Sequence, residues 1–414
     1  MLRVYCRLGL KPEPWARLAC QAELGSLLCA AYARLVRRIV VVCGSIVFVD
    51  AMLFGAIIPL LPGLADDYDL TKLEAGLLLG AYGGGTLVGG LPAGFLVGRI
   101  GPKRGVIAGL LLLFVASLLF AVAGDPLALG LARFAQGVSS SMTWAGALAW
   151  VALDTPKEHR GQALGTVFGV AVFGFVVGPM LGGIADHVGI RPAFATVAIG
   201  AGALAAMLAL VVPPIAEEQR PGAVARALRD RIFVGGLWLN TLPALFFGAM
   251  DVLVPLHLDT AGYGALAIAS VFVVAGLVEV VVNPVVGRVS DRRGRLLPVR
   301  VALASSFVVA TALAFATEPI FVAVLVVAAS VSFGGFYTPA MAIVADRADR
   351  AGLSQGVGFG VTSTAWASGA LLGPAIGGAL AESFGDAVPY LACAALCAVT
   401  LVAATRYAKR IAPA

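Results

Sequence analysis

Four stretches of this chain, Ala75 to Gly98, Gly161 to Ala185, Pro192 to Ala216 and Ala387 to Thr405, contain no Asp, Glu, Lys or Arg. An apolar run of about 20 residues crosses the hydrocarbon core of a bilayer as a helix. It is far too long for a strand. Lipid offers no hydrogen bonds to an open backbone, so helices are the economical solution for such runs. The rest of the 414 residues is of the same kind, 60% hydrophobic and only 13% charged. A soluble domain cannot cover that much apolar surface. The predicted class is an all-α membrane protein.

The chain is also duplicated. Gly94-Phe95-Leu96-Val97-Gly98-Arg99-Ile100-Gly101-Pro102-Lys103-Arg104 closes one apolar run and opens the next. A second version reads Gly287-Arg288-Val289-Ser290-Asp291-Arg292-Arg293-Gly294-Arg295. Gly94, Arg99 and Gly101 match Gly287, Arg292 and Gly294 at one common offset, and the flanking segments match in type. Twelve spans are expected, roughly 39–62, 74–98, 104–124, 127–153, 161–185 and 192–213, then 232–257, 264–288, 299–317, 319–345, 354–382 and 387–406. They form two pseudo-symmetric six-helix bundles, residues 38–213 and 232–408. The linker between them, 214–231, carries Pro214, Glu217, Glu218, Arg220, Pro221, Arg226 and Arg229. Residues 1–37 differ from the rest: scattered cations interrupt short apolar patches, with no core for a cleavable signal. They read as a cytoplasmic extension, an amphipathic surface helix or a flexible segment.

Basic residues set orientation in membrane proteins. With the N-terminus inside, all of the 29 Lys and Arg fall on the cytoplasmic side except Lys72, Arg191 and, within the fourth span, Arg133. The outer loops carry Asp66, Asp67, Asp69, Asp125, Asp259, Glu318 and Asp386. Both termini are therefore expected in the cytoplasm, with the protein multi-pass in the plasma (cytoplasmic) membrane. The net charge of +6 is this asymmetry, not a nucleic-acid footprint. The six cysteines show no paired metal spacing, so neither a metal nor a disulfide is expected. Cys393 and Cys397 read as small packing residues.

Two six-helix halves with this loop between spans 2–3 and 8–9 resemble the major facilitator superfamily, over residues 38 to 408. The family's loop signature is Gly-x-Leu-x-Asp-Arg-x-Gly-Arg-Arg. The first copy supplies Gly94, Leu96, Arg99, Gly101 and Arg104, with Gly98 where the acid is usual; the second keeps the acid as Asp291. The resemblance implies a cytoplasmic latch of charge pairs, and the alternative is that these cations only set topology. In the fifth span, Gly174, Gly178, Pro179, Gly182 and Gly183 resemble the antiporter motif of exporters in this superfamily, of the drug:proton type. Glycines on one face also let helices approach closely. Gly373-Pro374 with Gly377-Gly378 repeats the motif in the eleventh span, so part of the signal is duplicated architecture.

The chemistry-bearing candidates are the charges inside spans. Arg133-Phe134-Ala135-Gln136-Gly137 resembles the family's Arg-x-x-x-Gly motif, associated there with proton coupling. An Arg in hydrocarbon costs several kcal/mol unless paired or hydrated, so it should face the interior. Asp50 begins a string through Met52, Gly55, Pro59 and Pro62 that resembles the first helix of multidrug, tetracycline and monoamine exporters. That acid can be a proton site, a cation site or the structural partner of Arg133. Glu279, among Val280 to Val282 and before Asn283-Pro284, is the kind of acid a reversible proton carrier needs. Asp251 lies just before Pro255 and His257 and reads as a wetter position near the outer mouth. Tyr82, Trp144, Trp238, Asn240, Phe246, Phe247, Tyr337 and Trp366 can line a cavity, although such aromatics more often pack.

The resemblance implies a secondary transporter working by alternating access, with proton-coupled efflux of small amphipathic compounds as the leading reading. A proton-linked uptake symporter of the same fold, or a non-transporting membrane sensor, are the alternatives. No Ser-x-x-Lys, His-Glu-x-x-His, phosphate loop or paired cysteine set is present, so no enzyme is expected. The expected partners are a small-molecule substrate, protons and the lipid bilayer, with no cofactor and no nucleic acid, in a monomer.

Overall fold

Long apolar runs with few internal breakers leave the backbone no better option than the α-helix, and that is what the computed structural model contains. It describes residues 23–209 and 222–411, in which every regular element is helical. Helix α1 (Glu23–Ala56) carries the first span. It gives way ahead of Pro59 and Pro62, whose rings cannot continue a regular ladder, to a short 3-10 turn (Ile58–Leu60) and α2 (Leu61–Asp67). Next come α3 (Lys72–Ile100), α4 (Pro102–Val122), α5 (Pro126–Asp154), α6 (Lys157–Val188) and α7 (Ile190–Ala209). The second half holds α8 (Ala223–Arg229), α9 (Arg231–Thr260), α10 (Ala265–Arg293) and α11 (Leu296–Phe315). It ends with α12 (Pro319–Gly334), α13 (Tyr337–Ala351), α14 (Gln355–Phe384) and α15 (Ala387–Ile411).

The starts are encoded locally. Thr71 and Glu74 form a reciprocal capping box at α3, and Asp125 accepts the Ala128 N–H at α5. Both satisfy backbone donors that a helix start leaves open. Gly101 and Gly294 end α3 and α10 at φ of 90° and 82°. Only glycine enters that region without strain, which explains why this position recurs in both loop copies.

Residues 1–22 of the expected extension lie outside the described residues, and from Glu23 the chain is already helical and enters the first span unbroken. Of the expected linker, 214–221 lie outside the described residues, while Ala223–Arg229 are helical. The tenth expected span is two helices rather than one, broken at Gly335 and Phe336. Among the described residues, nine stretches are long and apolar enough to cross a membrane, against the twelve spans expected. The other three long helices, α3, α5 and α14, contain 29, 29 and 30 residues. Glycine, serine and threonine replace many large apolar side chains in them, where these helices pack closely on their neighbours.

The pairing of helices repeats between the halves. In the first, α1 packs on α6, α3 on α5, and α4 on α7. In the second, the matching pairs are α9 on α14, α10 on α12, and α11 on α15. The halves meet through α3 against α14 and α6 against α10, two contacts that the duplication interchanges. Large apolar side chains such as Val88, Leu127, Ile199, Val281, Phe315 and Val399 point outward and are more than half exposed. A soluble protein would pay for that patch in aggregation; lipid is its natural solvent.

Candidate functional site

Asp50 is 1% exposed, in the last two turns of α1. Three donors from two other helices converge on one of its oxygens. Tyr82 of α3 donates its hydroxyl to Oδ2 at 2.9 Å, Ser140 of α5 donates at 2.7 Å, and the Trp144 Nε1–H donates at 2.7 Å. Ser140 and Trp144 are one helical turn apart and so share a face of α5. Oδ1 is buried and takes no hydrogen bond. An unpartnered carboxylate oxygen away from water is costly, so this atom is where a proton or a cationic group gains most.

Arg133, also on α5, is 0% exposed. Its Nη1 donates to the Leu53 carbonyl at 3.2 Å and to Gln136 Oε1 at 3.0 Å, while Gln136 donates onward to Ser117. Its Cζ lies 4.9 Å from the centre of the Tyr82 ring, a cation–π distance. Nε and Nη2 are buried without a partner. Asp50 and Arg133 thus form no direct ion pair; Tyr82 stands between them, bonding the acid through its hydroxyl and facing the cation with its ring.

Around this polar pair the aromatics come from both halves. Phe54, one turn beyond Asp50, makes edge contacts with Tyr82 at 5.1 Å, Phe175 of α6 at 5.6 Å and Trp366 of α14 at 5.4 Å. Trp144 reaches Phe168 of α6 at 5.9 Å, and Phe168 reaches Phe359 of α14 at 6.5 Å. Trp366 and Phe359 are the contributions of the second half.

The other two acids lie elsewhere. Asp251 of α9, expected to be wet, is 7% exposed, and it takes no hydrogen bond from another described residue. Glu279 of α10 is half-buried and accepts from Asn283 at 3.3 Å. Tyr337 of α13 sits within electrostatic reach of both acids. The remaining candidates divide. Phe246 stacks on Phe333 at 3.7 Å, Phe247 joins the same aromatic group, and Trp238 donates to Thr400. Asn240 donates to the Thr362 carbonyl. These four knit α9 to its neighbours. Sequence reading passed over Ser140, Phe54 and Phe175, since no spacing rule marks a serine or phenylalanine in an apolar run as a site residue.

The antiporter-like glycines have a plain packing role. A Cβ on Gly174 would meet the Phe48 carbonyl at 2.6 Å, and on Gly178 the Met52 carbonyl at 2.5 Å; on Gly182 it would strike the Ala56 carbonyl. Three successive turns of α6 therefore rest directly on the backbone of α1, the helix that carries Asp50. Gly55 returns the contact against Pro179. Gly183 faces Leu266 of α10 in the other half. Gly369 and Gly373 repeat the pattern against Thr241 and Leu245 of α9, and Gly378 faces Lys72 across the halves.

At the loops, Gly94 is buried against Gly356 of α14. Arg99, Arg104 and Arg292 are exposed and form no ion pair among the described residues. Gly287 is half-buried, and the side chain of Asp291 lies outside the described residues. The last residue of the second copy does pair, Arg295 with Asp346 at 2.7 Å, and beside the motif Arg347 pairs with Asp230 at 3.2 Å. At the opposite end, Lys72 pairs with Asp386, and the Leu73 N–H donates to Glu382 at 3.0 Å, tying the first half to the second.

Residues 43–368 match the family model described as Major Facilitator Superfamily. The chain belongs to the Major Facilitator Superfamily. Similar proteins include "Multidrug resistance protein 2" of Bacillus subtilis (strain 168), 27% identical over 83% of this chain and 89% of the relative. "Quinolone resistance protein NorA" of Staphylococcus aureus (strain COL) is 25% identical over 84% of this chain and 90% of the relative. In structure, the human organic anion transporter MFSD10 (TETRAN) superposes with a TM-score of 0.71 at 15% identity, over 89% of this chain and 99% of that one. Membership makes this protein a multi-pass membrane transporter of small molecules, not an enzyme, with drug-efflux relatives at the level of the family.

Proposed function

We propose that this member of the superfamily exports small amphipathic compounds, cationic ones included, across the plasma membrane in exchange for protons. It works by alternating access between two six-helix bundles, residues 38–213 and 232–408, with both termini and the linker in the cytoplasm, as a monomer. The observation that carries the reading is Asp50, buried at the centre of the first half with three donors on Oδ2 and none on Oδ1. Its open oxygen can take a proton or a cationic group, and the Phe54, Phe175 and Trp366 rings beside it supply apolar and π surface from both halves. A ligand held by groups from both halves biases their relative position only through such differential contacts. Arg133, a fixed cation one ring away, is a competitor for any cationic group that approaches the carboxyl. Asp251 and Glu279 are assigned to the proton route in the second half, Glu279 as the main coupling acid. The antiporter-like glycines and the two loop copies are assigned to helix contact and gating.

Reconstituted protein in weakly buffered vesicles, challenged with a panel of lipophilic cations, anions and neutral compounds, tests this. Proton release on addition of cations is expected, lost in Glu279→Gln and needing higher cation concentrations in Asp50→Asn. Proton uptake with substrate from the same side would instead assign a symporter. A reporter fused after Gly222 should score as cytoplasmic and one at Asp66 as external.

A further inference from the structure

The tenth span breaks where it meets Glu279. Helix α12 stops at Gly334, Gly335 and Phe336 form a turn, and α13 begins at Tyr337. Helices α10 and α12 run in the same direction and touch on successive turns. Ser330 donates its hydroxyl to the Ala275 carbonyl at 2.9 Å. Four residues further along each helix, Gly334 faces Glu279. A Cβ on Gly334 would meet three atoms of Glu279 before any other neighbour: Oε1 at 2.6 Å, Cδ at 2.9 Å and Cγ at 3.2 Å. The notch left by the missing side chain is therefore filled by the carboxyl group.

Below the break, α13 is held separately from α12. Asp346 pairs with Arg295, Arg347 pairs with Asp230, and Arg226 of α8 donates to the Ala351 carbonyl at 3.3 Å. One end of α13 is thus tied by charges at the cytoplasmic side, and the other begins beside an acid in the membrane. Among titratable groups, Tyr337 of α13 lies within electrostatic reach of Glu279, and Asp251 of α9 within reach of Tyr337. Asn283 is its hydrogen-bond partner on α10 itself.

We propose that Gly334 is a positioning residue for Glu279: it seats the carboxyl on the break between α12 and α13, so that proton occupancy of this acid is read by the inner half of the tenth span. The inference rests on the assignment of Glu279 to proton coupling. A bound proton removes the charge at the turn. The carboxyl then no longer needs its polar neighbours, and α13 is free to change its angle to α12 while its cytoplasmic end stays tethered. Any side chain at position 334 pushes the carboxyl off the turn and uncouples the two.

The test is an infrared pH titration of the purified protein in lipid, with the Glu279 band identified by its loss in Glu279→Gln. Gly334→Ala is expected to move the midpoint of that band by about one pH unit or more, the scale of a tenfold change in proton affinity. Gly334→Ala combined with Glu279→Ala is expected to melt like Glu279→Ala alone, because removal of Cγ, Cδ and Oε1 leaves the new methyl unopposed. Gly130→Ala, where a Cβ meets nothing within 4 Å, serves as the control. A Gly334→Ala band that titrates like the parent overturns the proposal. So does a Gly334→Ala protein that fails to fold and is not rescued by Glu279→Ala, since the obstacle is then not the acid. Proton-driven transport that survives Glu279→Gln sinks the coupling assignment instead, whatever the titration of Gly334→Ala shows.

Discussion

At the scale of single residues, Asp50 shows how much a buried carboxylate depends on its donors. Asn keeps an acceptor for Tyr82, Ser140 and Trp144, but loses the charge and puts an NH2 donor where Oδ1 was. Asp50→Asn is therefore expected to fold and to bind a cationic dye at least tenfold more weakly, about 1.4 kcal/mol. Leu keeps neither, stranding donors at roughly 1–3 kcal/mol each. Asp50→Leu should lower the melting temperature in detergent well below that of Asp50→Asn, and equal melting would mean those hydrogen bonds are not made. Asp230 gives a pH-dependent case outside the membrane. Burial pulls its carboxyl up, but the Ile232 N–H and the Arg347 guanidinium outweigh it and hold the group below the usual carboxylate range. Its stabilising contribution is then full above the unfolded value of about 3.9 and fades as pH falls through the lower folded value. Asp230→Asn should be less stable than the parent near neutrality, with the gap closing in acid, as thermal unfolding at a series of pH values would reveal. A gap that stays constant with pH would discount the charge.

At the scale of elements, the contact of α6 with α1 is made by the absence of side chains. Gly178 rests on the Met52 carbonyl two residues from Asp50. Gly178→Val needs the helices to separate, and overpacking of that kind costs about 1–3 kcal/mol. The expected result is a lower melting temperature together with weaker dye binding, because α1 carries the acid. Unchanged binding in a destabilised protein would confine the glycines to stability. The same paired contact in α14 against α9 explains why the motif appears twice. As a sequence pattern it was legible, but its partner helix was not, since spacing identifies a small-residue face and says nothing of what covers it.

At the scale of the molecule, the two halves are tied at the end opposite the loop copies by Lys72 with Asp386 and by Glu382 with the Leu73 N–H. The Lys72 and Asp386 side chains are 39% and 48% exposed, and exposed pairs are worth only about 0–1 kcal/mol. Lys72→Ala should consequently shift the balance of states by no more than about fivefold. Maleimide labelling of a cysteine at Trp366, in a chain whose six native cysteines are replaced, would measure that shift from outside. A change beyond a hundredfold would mean the pair governs opening by itself.

The sequence alone determined the class, the duplication, the loop copies and the charges worth watching. Each depends on local quantities, namely run length, spacing and the cost of a charge in hydrocarbon. Asp50, Arg133, Tyr82 and Trp144 were all visible as candidates. That Tyr82 stands between Asp50 and Arg133, that Ser140 completes the donor set, and that Trp366 meets Phe54 are decided by how helices distant in sequence rotate against one another. The break of the tenth span beside Glu279 belongs to the same class. In an apolar run, helical periodicity is weak because lipid and core favour the same side chains, so the sequence marks the helices while only their packing tells which face each turns inward.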